Sequence, residues 1–160
     1  MQRVNLIINN ECYRTCVRDI GKLEQDRKFC KHGTAHCTDT ARIMMLLNDE
    51  EELGIPKDIV YATALLHDIG RGVQYREGVP HETAGISIAR DILGACGFEQ
   101  TEMELILDAI GHHRDIEIRR QASLAGILYR ADKLSRACYA CDAEEECDWA
   151  EDKKNMYIQY

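Results

Sequence analysis

The sequence has no long hydrophobic run, little strand-like alternation, no internal repeat and no low-complexity linker. No apolar stretch approaches the roughly 20 residues of a transmembrane helix. The apolar stretch within residues 1–10 is too short for a signal peptide, so we expect a cytoplasmic protein without a membrane segment. Because strands need an alternating pattern that is nearly absent, the sequence predicts an all-α fold. Residues 1–160 are expected to form a single domain.

Basic residues are also in deficit. The chain has 28 Asp and Glu against 20 Lys and Arg, which gives a formal net charge of -8. Because nucleic-acid backbones bind to extended basic surfaces, we expect no nucleic-acid polymer as a partner. A small anion is compatible with this composition, since a metal cluster with a few local cations can hold one phosphate in an acidic protein. A homo-oligomer is compatible with it as well.

Cysteine, in contrast, is abundant, with eight residues. Disulfides are not expected in a reducing compartment. The C-x2-C-x5-C spacing of Cys138, Cys141 and Cys147 fits a structural metal site, with Cys30 as a fourth ligand. The alternative is a set of reduced, buried or half-buried thiols, and we favour this alternative.

Apolar periodicity predicts a bundle of about six helices. They are expected over residues 6–27, 35–53, 56–69, 81–95, 101–111 and 123–139. The segment 59–69 is apolar on almost all sides, which predicts a central position. Residues 70–80 contain three glycines and a proline and are predicted to be a loop. Thr101 and Glu104 have the spacing of a capping box.

Several histidines and aspartates occur near predicted helix ends or within apolar helices. His32 and His36 are four residues apart, which places them about 40° apart on one helix face. His67 and Asp68 end a strongly apolar helix, and Asp132 interrupts another. These polar groups would be costly to bury without partners, and metal ligation satisfies them. Six histidines and two aspartates are more ligands than one ion needs, so we predict a dinuclear site.

The ordered set His36, His67-Asp68 and Asp132, in helical surroundings, resembles the HD-domain superfamily of metal-dependent phosphohydrolases. The string Ala64–Arg71 resembles the signature of that family most closely, and Ala131–Leu134 resembles its final aspartate segment. The resemblance covers residues 30–137. It implies a helical bundle in which these four side chains bind one ion.

A subset of the family adds two histidines and holds two ions, and His81 and His113 occupy the corresponding positions. The subset includes bacterial diadenosine-tetraphosphate hydrolases and cyclic-di-GMP phosphodiesterases. The Gly-Tyr-Pro motif of the latter is absent after His113. The resemblance therefore implies two divalent ions, with Fe, Mn, Zn, Ni, Co and Mg as candidates.

The resemblance also implies a reaction. Metal-bound hydroxide would attack a phosphoester or phosphoanhydride of a nucleotide or similar small phosphorylated metabolite, with Asp68 and His67 as the catalytic pair. His32 and His112 are candidates for additional ligands or for outer-shell groups. Four cations are candidates for contacts with the substrate phosphate, with surface salt bridges as the alternative for each: Arg71, Arg114, Lys133 and Arg136.

Two other functions are compatible with the same residues. A non-catalytic signalling module would bind metal or nucleotide tightly without turnover. A di-iron oxygenase would contain iron and consume oxygen. We rank both below hydrolysis.

Overall fold

In the computed structural model, which describes residues 1–160 except for the side chain of Asp152, the regular structure is helical, as predicted. No β-strand occurs among the described residues. Short 3-10 turns follow α7 and form most of the regular structure after α8. The α-helices are α1 (Gln2–Asn9), α2 (Glu11–Leu23), α3 (Thr34–Glu50), α4 (Lys57–Leu66), α5 (Arg71–Glu77), α6 (His81–Ala95), α7 (Gln100–His112) and α8 (Leu124–Leu134).

Helix α4 lies at the centre of the bundle, as its apolar composition predicted. It contacts α1, α3, α6, α7 and α8. Val60, Ala62, Ala64 and Leu66 have no exposed surface. Burial on all sides removes the need for a polar face, and it fixes the end of α4 in the interior of the molecule.

The predicted helix over residues 6–27 is wrong in its extent, because the chain breaks at Asn10. Asn10 has an extended backbone, and its side chain accepts a hydrogen bond from the Tyr13 amide. Asparagine is a preferred N-cap for this reason. Two helices, α1 and α2, therefore replace the single predicted one.

The predicted loop over residues 70–80 is also wrong, since it contains α5. Residues 71–77 form two turns that pack against α2 and α6, and this tertiary packing overrides the weak helix propensity of the segment. Gly78 ends the helix with a φ of 75°, a left-handed conformation that glycine adopts without strain.

Two predicted helix ends also differ from the structure. Helix α7 begins with a capping box formed by Glu99 and Glu102, instead of Thr101 and Glu104. Helix α8 ends at Leu134, five residues before the predicted end at Tyr139. No helix in the described part of the chain is long and apolar enough to span a membrane.

Candidate metal centre

Six histidine and aspartate side chains meet where the ends of five helices converge. The N-terminal turns of α3 and α6 supply His36 and His81. The C-terminal ends of α4, α7 and α8 supply the other four, His67, Asp68, His113 and Asp132. All are buried except His36, whose side chain is 9% exposed. The six residues assigned as metal ligands by resemblance therefore lie together.

The ligand atoms fall into two groups of three. His36, His67 and Asp132 form one group, and Asp68, His81 and His113 form the other, with the atoms of each within 4.8 Å of one another. In the first group, Asp132 Oδ1 lies 3.3 Å from His36 Nε2 and 3.9 Å from His67 Nε2. In the second, His81 Nε2 lies 3.1 Å from His113 Nε2 and 3.2 Å from Asp68 Oδ1.

Asp68 lies between the two groups. Its Oδ2 atom is 3.3 Å from His67 Nε2 and 3.6 Å from His36 Nε2. Its Oδ1 atom faces His81 in the other group. The two oxygens of this carboxylate therefore face different groups.

The histidine rings are held in one tautomer by their surroundings. The Nδ1 atoms of His67 and His113 donate to the carbonyls of Ala64 and Ile110, at 2.7 Å and 2.6 Å. A carbonyl only accepts, so each Nδ1 carries a proton, and the lone pair of the neutral ring lies on Nε2. His81 and His36 are held in the same way by Gln74 Oε1 at 2.8 Å and Ser135 Oγ at 3.1 Å.

Buried polar atoms without hydrogen-bond partners mark the middle of the cluster. They include Nε2 of His36 and His67 and the Oδ2 atom of Asp68, whereas Oδ1 of Asp68 is ion-paired with Arg71. Leaving such atoms unpaired costs about 1–3 kcal/mol each, and more for a charged group. A cation would satisfy all of them at once. Nitrogen and carboxylate donors, oriented from behind by hydrogen bonds, fit a divalent transition metal.

The protonation states suit cation binding. Although burial raises the pKa of the Asp68 carboxyl, the neighbouring His67 and Arg71 hold it well below its usual range. Asp132 is likewise buried, and His36 and Arg136 keep its pKa well below the usual range. Burial, with the charge of His67, lowers the pKa of His113 to about 3. The aspartates are therefore anionic and His113 is neutral at pH 7.

Three of the four predicted phosphate-binding cations lie beside these aspartates. Arg71 Nε is 2.8 Å from Asp68 Oδ1. Arg136 and Lys133 lie 3.2 Å and 3.6 Å from Asp132. Arg114 is exposed, and its charge is one of those that lower the pKa of Lys133, after the larger effect of burial.

The two additional histidines differ. His112 is exposed, bonds to the Asp108 carbonyl at 2.9 Å and belongs to neither group. His32 is buried, and its backbone and Nδ1 both donate to Glu24, at 2.8 Å and 2.6 Å. Tyr75 also donates to this carboxylate. Glu24 was not predicted, and its position eight residues before His32 gives no recognisable spacing signal.

The four cysteines considered as a structural metal site line one cavity. All eight cysteines of the chain are free thiols. Neither of the two ligand groups found among the described residues contains a cysteine. The preference for reduced thiols over a closed four-cysteine site stays a prediction.

Comparisons with known proteins place this geometry in a family. The model of the HD domain matches residues 33–137, which include all six candidate ligands. The chain is 44% identical over 160 residues, the full length of both proteins, to an uncharacterised protein of Clostridium beijerinckii. It is 30% identical over 122 residues to ribonuclease Y of Acetivibrio thermocellus and 31% identical over 123 residues to that of Clostridium botulinum.

These ribonuclease Y alignments cover 76% of this chain but 21% of each relative. The chain thus spans about a fifth of their length. No solved structure matches the chain.

Proposed function

Because the chain belongs to the HD-domain family, we propose that it is a metal-dependent phosphohydrolase of nucleotides or similar small phosphorylated metabolites. The bond cleaved is a phosphoester or phosphoanhydride. The observation that carries the proposal is the pair of three-residue ligand groups that share Asp68. This arrangement fits two divalent ions better than one, because each oxygen of Asp68 faces a different group.

The protein supplies the ligands and their orientation. One ion would be held by His36, His67 and Asp132, and the other by His81 and His113, with Asp68 between them. Divalent ions bound there would acidify a water molecule and polarise a phosphoryl oxygen. Asp68 would hold the two ion positions at a fixed separation, because α4 and the turn that follows it are fixed in the core.

The cations around the cluster would bind the substrate. The guanidinium groups of Arg71 and Arg136 and the ammonium group of Lys133 lie next to the aspartates. Such groups stabilise the charge on a transferring phosphoryl group. Arg114 is exposed and would act at the rim of the same region.

The test combines metal analysis with a substrate panel. Protein purified without chelator is expected to contain two ions per chain and to hydrolyse phosphoesters with added manganese, cobalt, nickel or iron. The panel includes nucleotides and a short RNA, because the ribonuclease Y relatives are named for RNA. Asp68→Asn should reduce turnover more than about 100-fold, since even outer-shell changes cost 10–100-fold. Asp91→Asn, at an exposed position of α6, is the matched control.

Several outcomes would contradict this proposal. Unchanged turnover in Asp68→Asn would exclude the bridging role, and one ion per chain would exclude the dinuclear centre. Metal binding without turnover across the panel would support a signalling module. Oxygen consumption by an iron-loaded protein would support an oxygenase. The cytoplasmic location and a homo-oligomer stay predictions.

A further inference from the structure

A cavity of about 250 Å³ lies directly beside the metal centre. His36, one of the six ligands, forms part of its wall, so the cavity adjoins the position of the reacting phosphate. The remaining wall comes from Asp39 in α3, from residues 29–32 and from the C-terminal tail after α8. Most of that tail lies outside the HD-domain match, which ends at residue 137. The cavity is thus built largely by parts of the chain outside the HD-domain match.

His32 is the one imidazole in this wall besides His36. Its ring centroid is 5.7 Å from that of His36, and His36 is 5.3 Å from His67, so His32 extends the row of histidines towards the cavity. His32 is only 6% exposed. Its Nδ1 atom is bonded to Glu24, which leaves Nε2 as the ring nitrogen available to a ligand.

Glu24 determines whether Nε2 of His32 donates or accepts a hydrogen bond. This carboxylate is 2% exposed and accepts hydrogen bonds from the His32 backbone, from His32 Nδ1 and from Tyr75. An ionised carboxylate only accepts, so Nδ1 carries a proton. Burial lowers the pKa of the His32 imidazole, so the ring is neutral and presents a lone pair at Nε2. His32 therefore offers an acceptor to a group in the cavity.

The rest of the wall is suited to an uncharged group. Phe29, Ala137 and the thiols Cys30 and Cys138 supply apolar surface. The cations of the wall are already engaged within the chain, and so are less available to a second phosphate. Lys31 donates to the Gln25 carbonyl, and Lys154 donates to Glu144 and Glu151. Arg136 lies beside Asp132 and is assigned to the reacting phosphate itself.

The size of the cavity limits the ligand further. Ligand sites usually measure about 300–1,000 Å³, and this cavity falls just below that range. It is sized for one compact organic group and not for a chain of nucleotides.

We propose that this cavity binds the organic group of a phosphomonoester. The group is uncharged, no larger than a nucleoside, and carries a hydroxyl or amine that donates a hydrogen bond to His32 Nε2. This inference rests on the proposed function, because it takes the metal centre as the phosphate site. It narrows the substrate class to monoesters, in preference to nucleoside triphosphates and RNA.

The test compares the wild-type protein with two variants, and it uses two substrates that differ in their organic group. A nucleoside 5′-monophosphate carries hydroxyl donors, whereas phenyl phosphate carries none on its organic group. His32→Phe should raise the KM of the nucleotide about tenfold, the value of one hydrogen bond, and leave the KM of phenyl phosphate and the kcat of both nearly unchanged. Two ions per chain should remain, and inhibition by inorganic phosphate should be unaffected.

A second variant does not depend on the buried histidine. Ala137→Leu adds bulk at an exposed edge of the cavity and should raise the KM of the nucleotide without changing inhibition by inorganic phosphate. Ala95→Leu, exposed at the end of α6, is the control. Wild-type protein should also show a higher kcat/KM for the monophosphate than for the triphosphate or a short RNA.

The failures are distinguishable. Loss of an ion in His32→Phe would make His32 a ligand and overturn the inference. So would an unchanged nucleotide KM in both variants, or a higher kcat/KM for triphosphate or RNA. If the wild-type protein hydrolyses no probe, the proposed function fails. Calorimetry of nucleoside monophosphate and inorganic phosphate binding then makes the same comparison, and equal nucleotide affinity in wild type and variants would overturn the inference.

Discussion

At the scale of single residues, the candidate site depends on what lies behind each imidazole. His67 and His113 each donate to the carbonyl three residues earlier, at the end of their own helix. The last carbonyls of a helix have no intrahelical partner, so one contact satisfies the helix end and sets the ring tautomer. Three other rings, of His81, His36 and His32, instead depend on side chains outside their own helix turn, namely Gln74, Ser135 and Glu24. These three rings are therefore the ones that a substitution elsewhere in the chain can disturb.

The Glu24 carboxylate should make stability depend on pH. Burial raises its pKa, but hydrogen bonds from His32 and Tyr75 outweigh this effect and lower the pKa from 4.5 to about 2. A carboxyl with a depressed folded-state pKa contributes stability above its unfolded pKa, and this contribution is lost as the pH falls towards the folded value. Glu24→Gln should therefore cost about 1–3 kcal/mol at pH 6 and less at pH 3.

Urea unfolding of both proteins at the two pH values, with chelator present throughout, measures this difference. The chelator keeps metal release from contributing to the pH effect. Tyr75→Phe, which removes one donor and keeps the His32 contact, should show a smaller change of the same sign. A Glu24→Gln penalty that is equal at pH 6 and pH 3 would contradict the proposed ionisation.

At the scale of helices, the sequence predicts the site better than it predicts the surroundings. In the sequence, His67 and Asp68 end one apolar helix and Asp132 interrupts another. Burying these polar groups without partners is costly, so their convergence could be predicted. In contrast, α5 lies in a glycine-containing segment whose helical state depends on packing against α2 and α6. No local sequence pattern predicts such a helix. Gln74, which orients His81 from α5, was therefore missed together with it.

The contact between the start of α5 and the start of α6 gives a prediction at this scale. A Cβ added at Gly70 would lie 2.5 Å from the Gly85 amide nitrogen and closer still to the His81 carbonyl oxygen. Backbone cannot move aside as a flexible side chain can, so Gly70→Ala should destabilise the fold by at least about 1–3 kcal/mol. It should also displace His81 and reduce the metal content from two ions towards one.

Gly21→Ala is the matched comparison. Gly21 lies within α2, is exposed, and has open space around its Cα. Alanine there should stabilise the helix by about 0.5–1 kcal/mol. Thermal unfolding and elemental analysis of both variants test the pair. A Gly70→Ala protein with wild-type stability and two ions would exclude the tight contact.

At the scale of the whole molecule, the HD-domain match and the segments outside it contribute different parts of the candidate site. The HD-domain match over residues 33–137 contains all six candidate ligands. Residues 24–32 and the tail after residue 137 add Glu24, His32 and most of the cavity wall. The family resemblance predicted the candidate ligands because its motifs are local and ordered. It did not predict the cavity wall, whose contacts join segments about 100 residues apart. A single domain over residues 1–160 stays a prediction.

Asn155 is one of the side chains that attach the tail to the bundle. Its side-chain amide donates to the Leu134 and Arg136 carbonyls, at 2.8 Å and 3.0 Å, just after the turn that holds Asp132. Trp149, the only tryptophan of the chain, lies over the Arg136 guanidinium at 4.3 Å. Its fluorescence therefore reports directly on whether the tail is docked.

Asn155→Ala should release this wall of the cavity while leaving the six ligands in place. Two half-buried carbonyls lose their donor, at a cost of about 1–3 kcal/mol, which is enough to loosen a segment with few core contacts. We expect a red shift of Trp149 emission, faster proteolysis within residues 138–160 and a raised KM for the phosphomonoester, with two ions retained. Asn9→Ala, which removes an exposed amide contact in α1, should change none of these. If Trp149 emission and the proteolysis pattern stay at wild-type values in Asn155→Ala, the tail is held by other contacts and its role as a wall of the substrate cavity does not depend on Asn155.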